Sequence, residues 1–149
     1  MAYQAITLPG INIQTPWSQA LISGRKVIES RFYPLPSKWI EQPLAIIETP
    51  GKTGRFKRRI AGLIAFAPSW RYADREAFAR DDIKHLVDPD DPLFGWRSEA
   101  RPKWAWPVVW VEAYEQPLPP EFRAGIRYSR AVDILEPPPS LLRALSRLA

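Results

Sequence analysis

The stretch Thr15-Pro16-Trp17-Ser18-Gln19-Ala20-Leu21-Ile22-Ser23-Gly24-Arg25-Lys26-Val27-Ile28-Glu29-Ser30-Arg31-Phe32-Tyr33 decides the fold. Thr15 stands at an N-cap position and Pro16 at the first helical position, where a missing N–H costs nothing. Trp17, Ala20 and Leu21 recur at i, i+3 and i+4 and give one apolar face. Gly24 can take positive φ, so a helix of about two turns over 16–23 is expected to stop there. Residues 26–33 then read as a strand, rich in β-branched and aromatic side chains and ended by Pro34. Alternation puts Val27, Glu29, Arg31 and Tyr33 on one face, and Lys26, Ile28, Ser30 and Phe32 on the other. Lys26 reaches the Glu29–Arg31 pair only from the turn after Gly24 or from a bulge.

Working outward, residues 1–10 read as a lead-in with Pro9-Gly10 as a turn, and 11–14 as a short half-buried strand. Leu44 to Thr49 reads as a strand buried on both faces. Ile60 to Ala67 is the next, and Asp74 to about Val87 is expected to be one helix with Phe78, Ile83 and Leu86 facing inward. Trp104 to Glu115 reads as a long strand, edge or bulged at Pro107. Its Trp104, Trp106, Trp110 and Tyr114 suggest an aromatic face. Ser129 to Glu136 alternates as a last strand. Ser140 to Leu148 carries a stripe of Leu141, Leu142, Leu145 and Leu148, expected to dock on the domain. The sum is six short strands and two or three helices, an α+β domain with a small mixed or antiparallel barrel.

Composition bounds the function. The 149 residues suit one domain. The 17 prolines favour short elements and ordered turns. A net charge of +5 favours polyanionic partners. With no cysteine there is no disulfide, thiolate metal site or thiol nucleophile. Neither a secretory signal nor an apolar run of membrane-spanning length is visible, so a cytoplasmic soluble protein with no membrane partner is expected. The loop 50–59 concentrates Lys52, Arg55, Lys57, Arg58 and Arg59 around Phe56. Its Gly51-Lys52-Thr53 is not a phosphate-binding P-loop, because Ile46 stands where the first glycine is needed. His85 reads as a helix surface or packing residue, and Asp88, Asp90 and Asp91 as a solvated turn. Neither a metal site nor a cofactor is expected.

Pro16-Trp17 followed by Gly24, Lys26, Glu29 and Arg31 resembles the P-W…G-x-K-x-x-E-x-R signature of ASCH domains, of the PUA-like superfamily. Ile60-Ala61-Gly62-Leu63-Ile64, the helix around Phe78 and Lys103-Trp104-Ala105-Trp106 match in order and spacing. The resemblance covers residues 11–136, with 137–149 as the docked C-terminal helix. It implies a small barrel whose cleft lies beside the first helix and receives the motif's charged residues, and an association with RNA or modified bases. Some ASCH proteins resemble amidohydrolases that deacylate acetylated cytidine, using the motif lysine and a threonine three residues on. Here Glu29 replaces that threonine, and the distant glutamate has no assigned counterpart. Others cleave single-stranded RNA.

Binding and catalysis therefore both stay open. In a binding module, Trp17, Lys26, Glu29 and Arg31, with Trp70 or Trp106 at the rim, receive a base, while Lys52, Arg55, Lys57, Arg58 and Arg59 track the backbone. In a hydrolase, Lys26 and Glu29 are the candidate catalytic pair. RNA or a modified nucleoside is the expected partner. ASCH domains also occur in transcriptional coactivators, so a protein partner is the third reading, through the aromatic strand and the C-terminal helix.

Overall fold

The structure, a computed structural model, describes residues 6–118, 122–123, 130–134, 139, 142–143 and 146. Among the described residues, the alternating and apolar runs of the sequence form eight strands: β1 (Ile6–Gln14), β2 (Ile28–Arg31), β3 (Leu44–Thr49), β4 (Arg59–Phe66), β5 (Trp70–Arg71), β6 (Trp104–Leu118), β7 (Phe122–Arg123) and β8 (Arg130–Ile134). The short helices α1 (Trp17–Ile22), α2 (Arg75–Arg80) and α3 (Asp82–His85) accompany them. The strands run β2-β6-β4-β3-β1-β8-β7, with β5 added on β6. Among the described strands, β1 and β3 pair in parallel and the other ladders are antiparallel, so the sheet is mixed. The α+β class and the mixed strand pairing expected above are found. Among the described residues no ladder joins β2 to β7, so hydrogen bonds do not close a barrel.

The core follows from period two. On β3, Leu44 and Ile46 enter one apolar cluster with Ile11, Leu21, Trp39, Phe66 and Trp106. Ala45 and Ile47 enter the other, with Leu8, Leu63 and Val132. A strand covered on both faces reads as a continuous apolar run, as this one does. A third cluster seats the helices, Tyr72, Phe78 and Val87 packing on Ile28 and Ala105.

Several expectations need correction. Pro9-Gly10 is not a turn but the middle of β1. Pro9 is paired with Ala131 of β8, and pairing with β3 starts only at Gly10. A proline is tolerated where one side of a strand needs no N–H donor. Thr15 does not cap α1. Its N–H donates to the Thr49 carbonyl at 2.9 Å, prolonging the β1–β3 ladder, and the cap position falls to Pro16. The segment 74–87 is two helices, broken at Asp81 (φ −92°, ψ 17°). The break changes the helical phase, so Ile83 is 77% exposed and His85 is buried in its place. The expected C-terminal helix, with Leu141, Leu145 and Leu148, lies outside the described residues; Leu142 is exposed.

The long β6 shares its length between partners. Residues 104–107 pair with β2, and its distal part pairs with β4. The register shift expected beside Pro107 lies between the Ala65–Trp110 and Phe66–Val108 pairs. At a second shift, Gly62 lies so close to β6 that a Cβ would drive into the backbone carbonyl oxygen of Glu112, with Ala113 Cα at 3.3 Å. Neither obstacle can rotate away. Gly62→Ala is therefore expected to cost about 1–3 kcal/mol, read as a lower denaturant midpoint; an unchanged midpoint would show that the strands separate freely there.

Candidate nucleotide-binding cleft

The turn after Gly24 creates the site. Gly24 has φ +82°. Lys26 N–H then donates to the Ala20 carbonyl at 3.0 Å, and Val27 N–H to the Lys84 carbonyl at 2.9 Å. The β2–β6 register begins at Ile28, with the Val27 carbonyl accepting from Val108 N–H at 2.9 Å just before it, whereas Lys26 is bonded back to α1. Lys26 thus escapes strand alternation and turns to the Glu29 side, while Val27 is exposed. Lys26 and Glu29 are 3.6 Å apart, Nζ to Oε1.

Those residues line a cleft of about 370 Å³ between α1, β2 and the loop before β6. Trp17, Phe32, Tyr33 and Phe94 give it aromatic walls, and Lys26, Arg31 and Lys103 face a single carboxylate, Glu29. Trp17 meets Phe94 edge-on at 5.8 Å, and the Lys26 ammonium lies 5.1 Å from the Trp17 ring centre.

Glu29 is 6% exposed and well supplied with donors. Ser30 N–H donates to Oε1 at 3.1 Å and Arg31 Nη2 to Oε2 at 3.0 Å. Burial pushes the carboxyl up, but the Arg31 and Lys26 charges and these hydrogen bonds outweigh it, so its pKa is lowered. Arg31 also donates to the Asn12 carbonyl at 2.9 Å and to the Tyr33 hydroxyl at 3.2 Å. The alternation of 29, 31 and 33 is thus observed, and the pair braces β2 against β1.

Lys26 is 1% exposed and donates to the His85 carbonyl. Burial lowers its pKa, opposed by Glu29 and assisted by the Arg31 charge. His85 itself is a packing residue, stacked on Phe78 at 4.1 Å. Nδ1 accepts from Val87 N–H at 2.9 Å, which assigns the proton to Nε2, 2.7 Å from the Phe78 carbonyl. Burial lowers its pKa, so the ring is neutral at pH 7.

The remaining predicted residues are not all in the cleft. Trp106 does not rim it: the ring is 0% exposed, packed edge-on against Tyr33 and Phe66. It backs the site, with the Arg31 guanidinium 5.6 Å above its ring and Nε1 donating to the Tyr33 carbonyl at 3.1 Å. Trp70 is exposed on β5, edge-on to Tyr72, away from the cavity. Along the aromatic run of β6, Trp106 is buried and Trp104, Trp110 and Tyr114 are half-buried. Lys52, Arg55, Lys57 and Arg58 are exposed on the loop after β3. That loop leaves the cleft edge at Thr49, and Gly51 abuts the Gln14 side chain, another lining residue. Arg59 is diverted inward: Nε donates to Glu48 at 2.8 Å, and its guanidinium covers Phe56 at 3.8 Å.

Two buried ionisable groups escaped the sequence reading. Glu48 is enclosed and accepts from Ser18 Oγ at 2.6 Å as well as from Gln19 and Arg59, tying α1 to β3 and β4. Its signal was a carboxylate inside an apolar strand. Lys103 lines the cleft at 2% exposure. It donates to the Phe94 carbonyl at 2.8 Å and lies 4.2 Å from the Phe32 ring centre. Burial brings its pKa down to about 8. Among the described residues no group of acidic or histidine side chains is arranged to hold a metal, and no helix is long and apolar enough to cross a membrane.

No protein-family model and no curated protein matches the sequence. Solved structures do match in fold. An ASCH protein from Zymomonas mobilis is 14% identical, with a TM-score of 0.53 over 74% of this chain and 72% of that one. Two single-residue variants of the same protein, at 15% and 14% identity, give TM-scores of 0.54 and 0.53. The chain has the ASCH fold.

Proposed function

We propose that this ASCH-fold chain belongs to the ASCH family and binds single-stranded RNA or a nucleobase derivative in the cleft of Trp17, Lys26, Glu29 and Arg31. The observation that carries the reading is the composition of that cleft: four aromatic rings and three cations against one carboxylate, in a volume suited to one nucleotide. Aromatic walls stack on any base, at about 1–3 kcal/mol each, and excess positive charge attracts the backbone. Glu29 has its oxygens engaged by Arg31, Lys26 and Ser30, so it organises the site rather than reading a base edge. The exposed cations Lys52, Arg55, Lys57 and Arg58 extend the path from the cleft edge.

A second reading, hydrolysis, has one specific support. A carboxylate beside a lysine ordinarily keeps it charged, yet burial lowers the Lys26 pKa despite Glu29. A neutral fraction of Lys26 would serve as general base.

One experiment separates the two. Wild type and Lys26→Ala are incubated with single-stranded RNA and with acetylated cytidine, following binding and product together. The expected result is RNA binding that falls steeply between about 50 and 200 mM salt, weakened by Lys26→Ala, with no product. Product that disappears in Lys26→Ala would replace this reading with the hydrolase. Neither binding nor product from the folded wild type would remove both.

A further inference from the structure

The charges of the cleft do not balance. Glu29 is engaged by Arg31, whose other donors serve Asn12 and Tyr33. One carboxylate thus serves three cations in the cleft. The Lys26 and Lys103 ammonium groups remain, each with three donors and one tied to a backbone carbonyl. Glu29 is shared with Lys26 at 3.6 Å, and among the described residues Lys103 pairs with no carboxylate. Buried charges are otherwise paired or hydrogen-bonded to capacity. Two enclosed lysines lining one cavity make a deficit that an anion fills.

We propose that the cleft holds the phosphate of its ligand between Lys103 and Lys26, so that the ligand is a phosphate-bearing nucleotide and not a free nucleoside. The inference rests on the base-binding reading above and names its ligand class. In that arrangement Trp17, Phe32 and Phe94 flank the attached nucleoside, and the phosphate charge replaces the missing counter-ion. Lys103 becomes a binding residue that the Lys26-Glu29-Arg31 motif does not include. Its protonation then governs affinity. Facing it are Glu29, Lys26 and Arg31 from the β2 side and Asp91 from the loop before β6. The Phe32 and Phe78 rings and the neutral His85 complete its surroundings. The pKa values of Glu29 and Asp91 are lowered, so both stay ionised above pH 7 and the changing charge is that of the lysines.

The test is equilibrium binding of cytidylyl-cytidine, whose phosphodiester keeps one charge from pH 6 to 9, compared with cytidine. Wild type is expected to bind the dinucleotide at least about tenfold more tightly than cytidine. Lys103→Met should lose about tenfold on the dinucleotide and little on cytidine, while Lys103→Arg stays near wild type. Lys103 has a pKa of about 8, so wild-type affinity should fall about tenfold from pH 7 to 9, and Lys103→Met should fall less steeply, its remaining pH dependence being that of Lys26. The wild-type profile needs no variant to fold. Equal affinity for cytidine and the dinucleotide, or an unaffected Lys103→Met, overturns the proposal. RNA binding that ignores Lys103 would remove the phosphate site and leave the base-binding reading. Lys103-dependent binding of inorganic phosphate without RNA binding would do the reverse.

Discussion

Glu29→Ala is expected to lower folding stability by about 3–5 kcal/mol at pH 7, a drop of roughly 10 °C in thermal midpoint. The alanine leaves Lys26 enclosed and Arg31 largely so, without the carboxylate that joins them. Lys26 would keep the His85 carbonyl, and Arg31 the Asn12 carbonyl and Tyr33 hydroxyl. None of these three acceptors carries a negative charge. Because the folded carboxyl has a lowered pKa, its stabilisation is fully present above the unfolded value of about 4.5. It is lost as pH falls through the folded pKa, so wild type and variant should converge in acid. Converting the pair to apolar residues, Glu29→Leu with Arg31→Met, should recover part of the loss. A Glu29→Ala midpoint within about 2 °C of wild type would show that the pair is solvated and braces nothing.

The same brace explains what the sequence could disclose. Alternation along β2 predicts Glu29, Arg31 and Tyr33 on one side, and their hydrogen bonds follow it. Alternation also places Lys26 opposite, and here a local rule overrides the period. Gly24 at positive φ and the Lys26 N–H bond to Ala20 keep residue 26 out of the strand. The glycine was visible; the rotation it imposes depended on tertiary partners. The both-face burial of β3 was legible from Leu44-Ala45-Ile46-Ile47, but its next residue, Glu48, has its partners on α1 and β4. No window of sequence contains that set. The break at Asp81 exchanged Ile83 for His85 in the core, because apolar periodicity assumes an unbroken helix. Lys103 was legible as the first residue of the Lys103-Trp104-Ala105-Trp106 match, but nothing in that run gave it a role in the site. Its entry into the cleft depends on β6 lying between β2 and β5.

Trp106 and Trp17 test whether the two tryptophans named for the cleft have separate roles. Trp106→Ala is expected to cost about 3–5 kcal/mol, because it empties the centre of the largest apolar cluster between Phe66 and Tyr33. It also removes the indole N–H that holds the Tyr33 carbonyl and the ring beneath Arg31. Lost ligand binding in that variant would follow from a collapsed wall, and Trp106→Phe should restore most of it. Trp17 is only partly covered, and its ring lies 5.1 Å from the Lys26 ammonium at the cavity surface. Trp17→Ala should remove about 1–3 kcal/mol of stacking, roughly 5- to 150-fold in RNA affinity, with a smaller loss of stability. Equal stability losses with unchanged RNA affinity in folded Trp17→Ala would mean that both rings are core. Stacking on the base would then fall to Phe32, Tyr33 and Phe94, the other aromatic residues of the cleft.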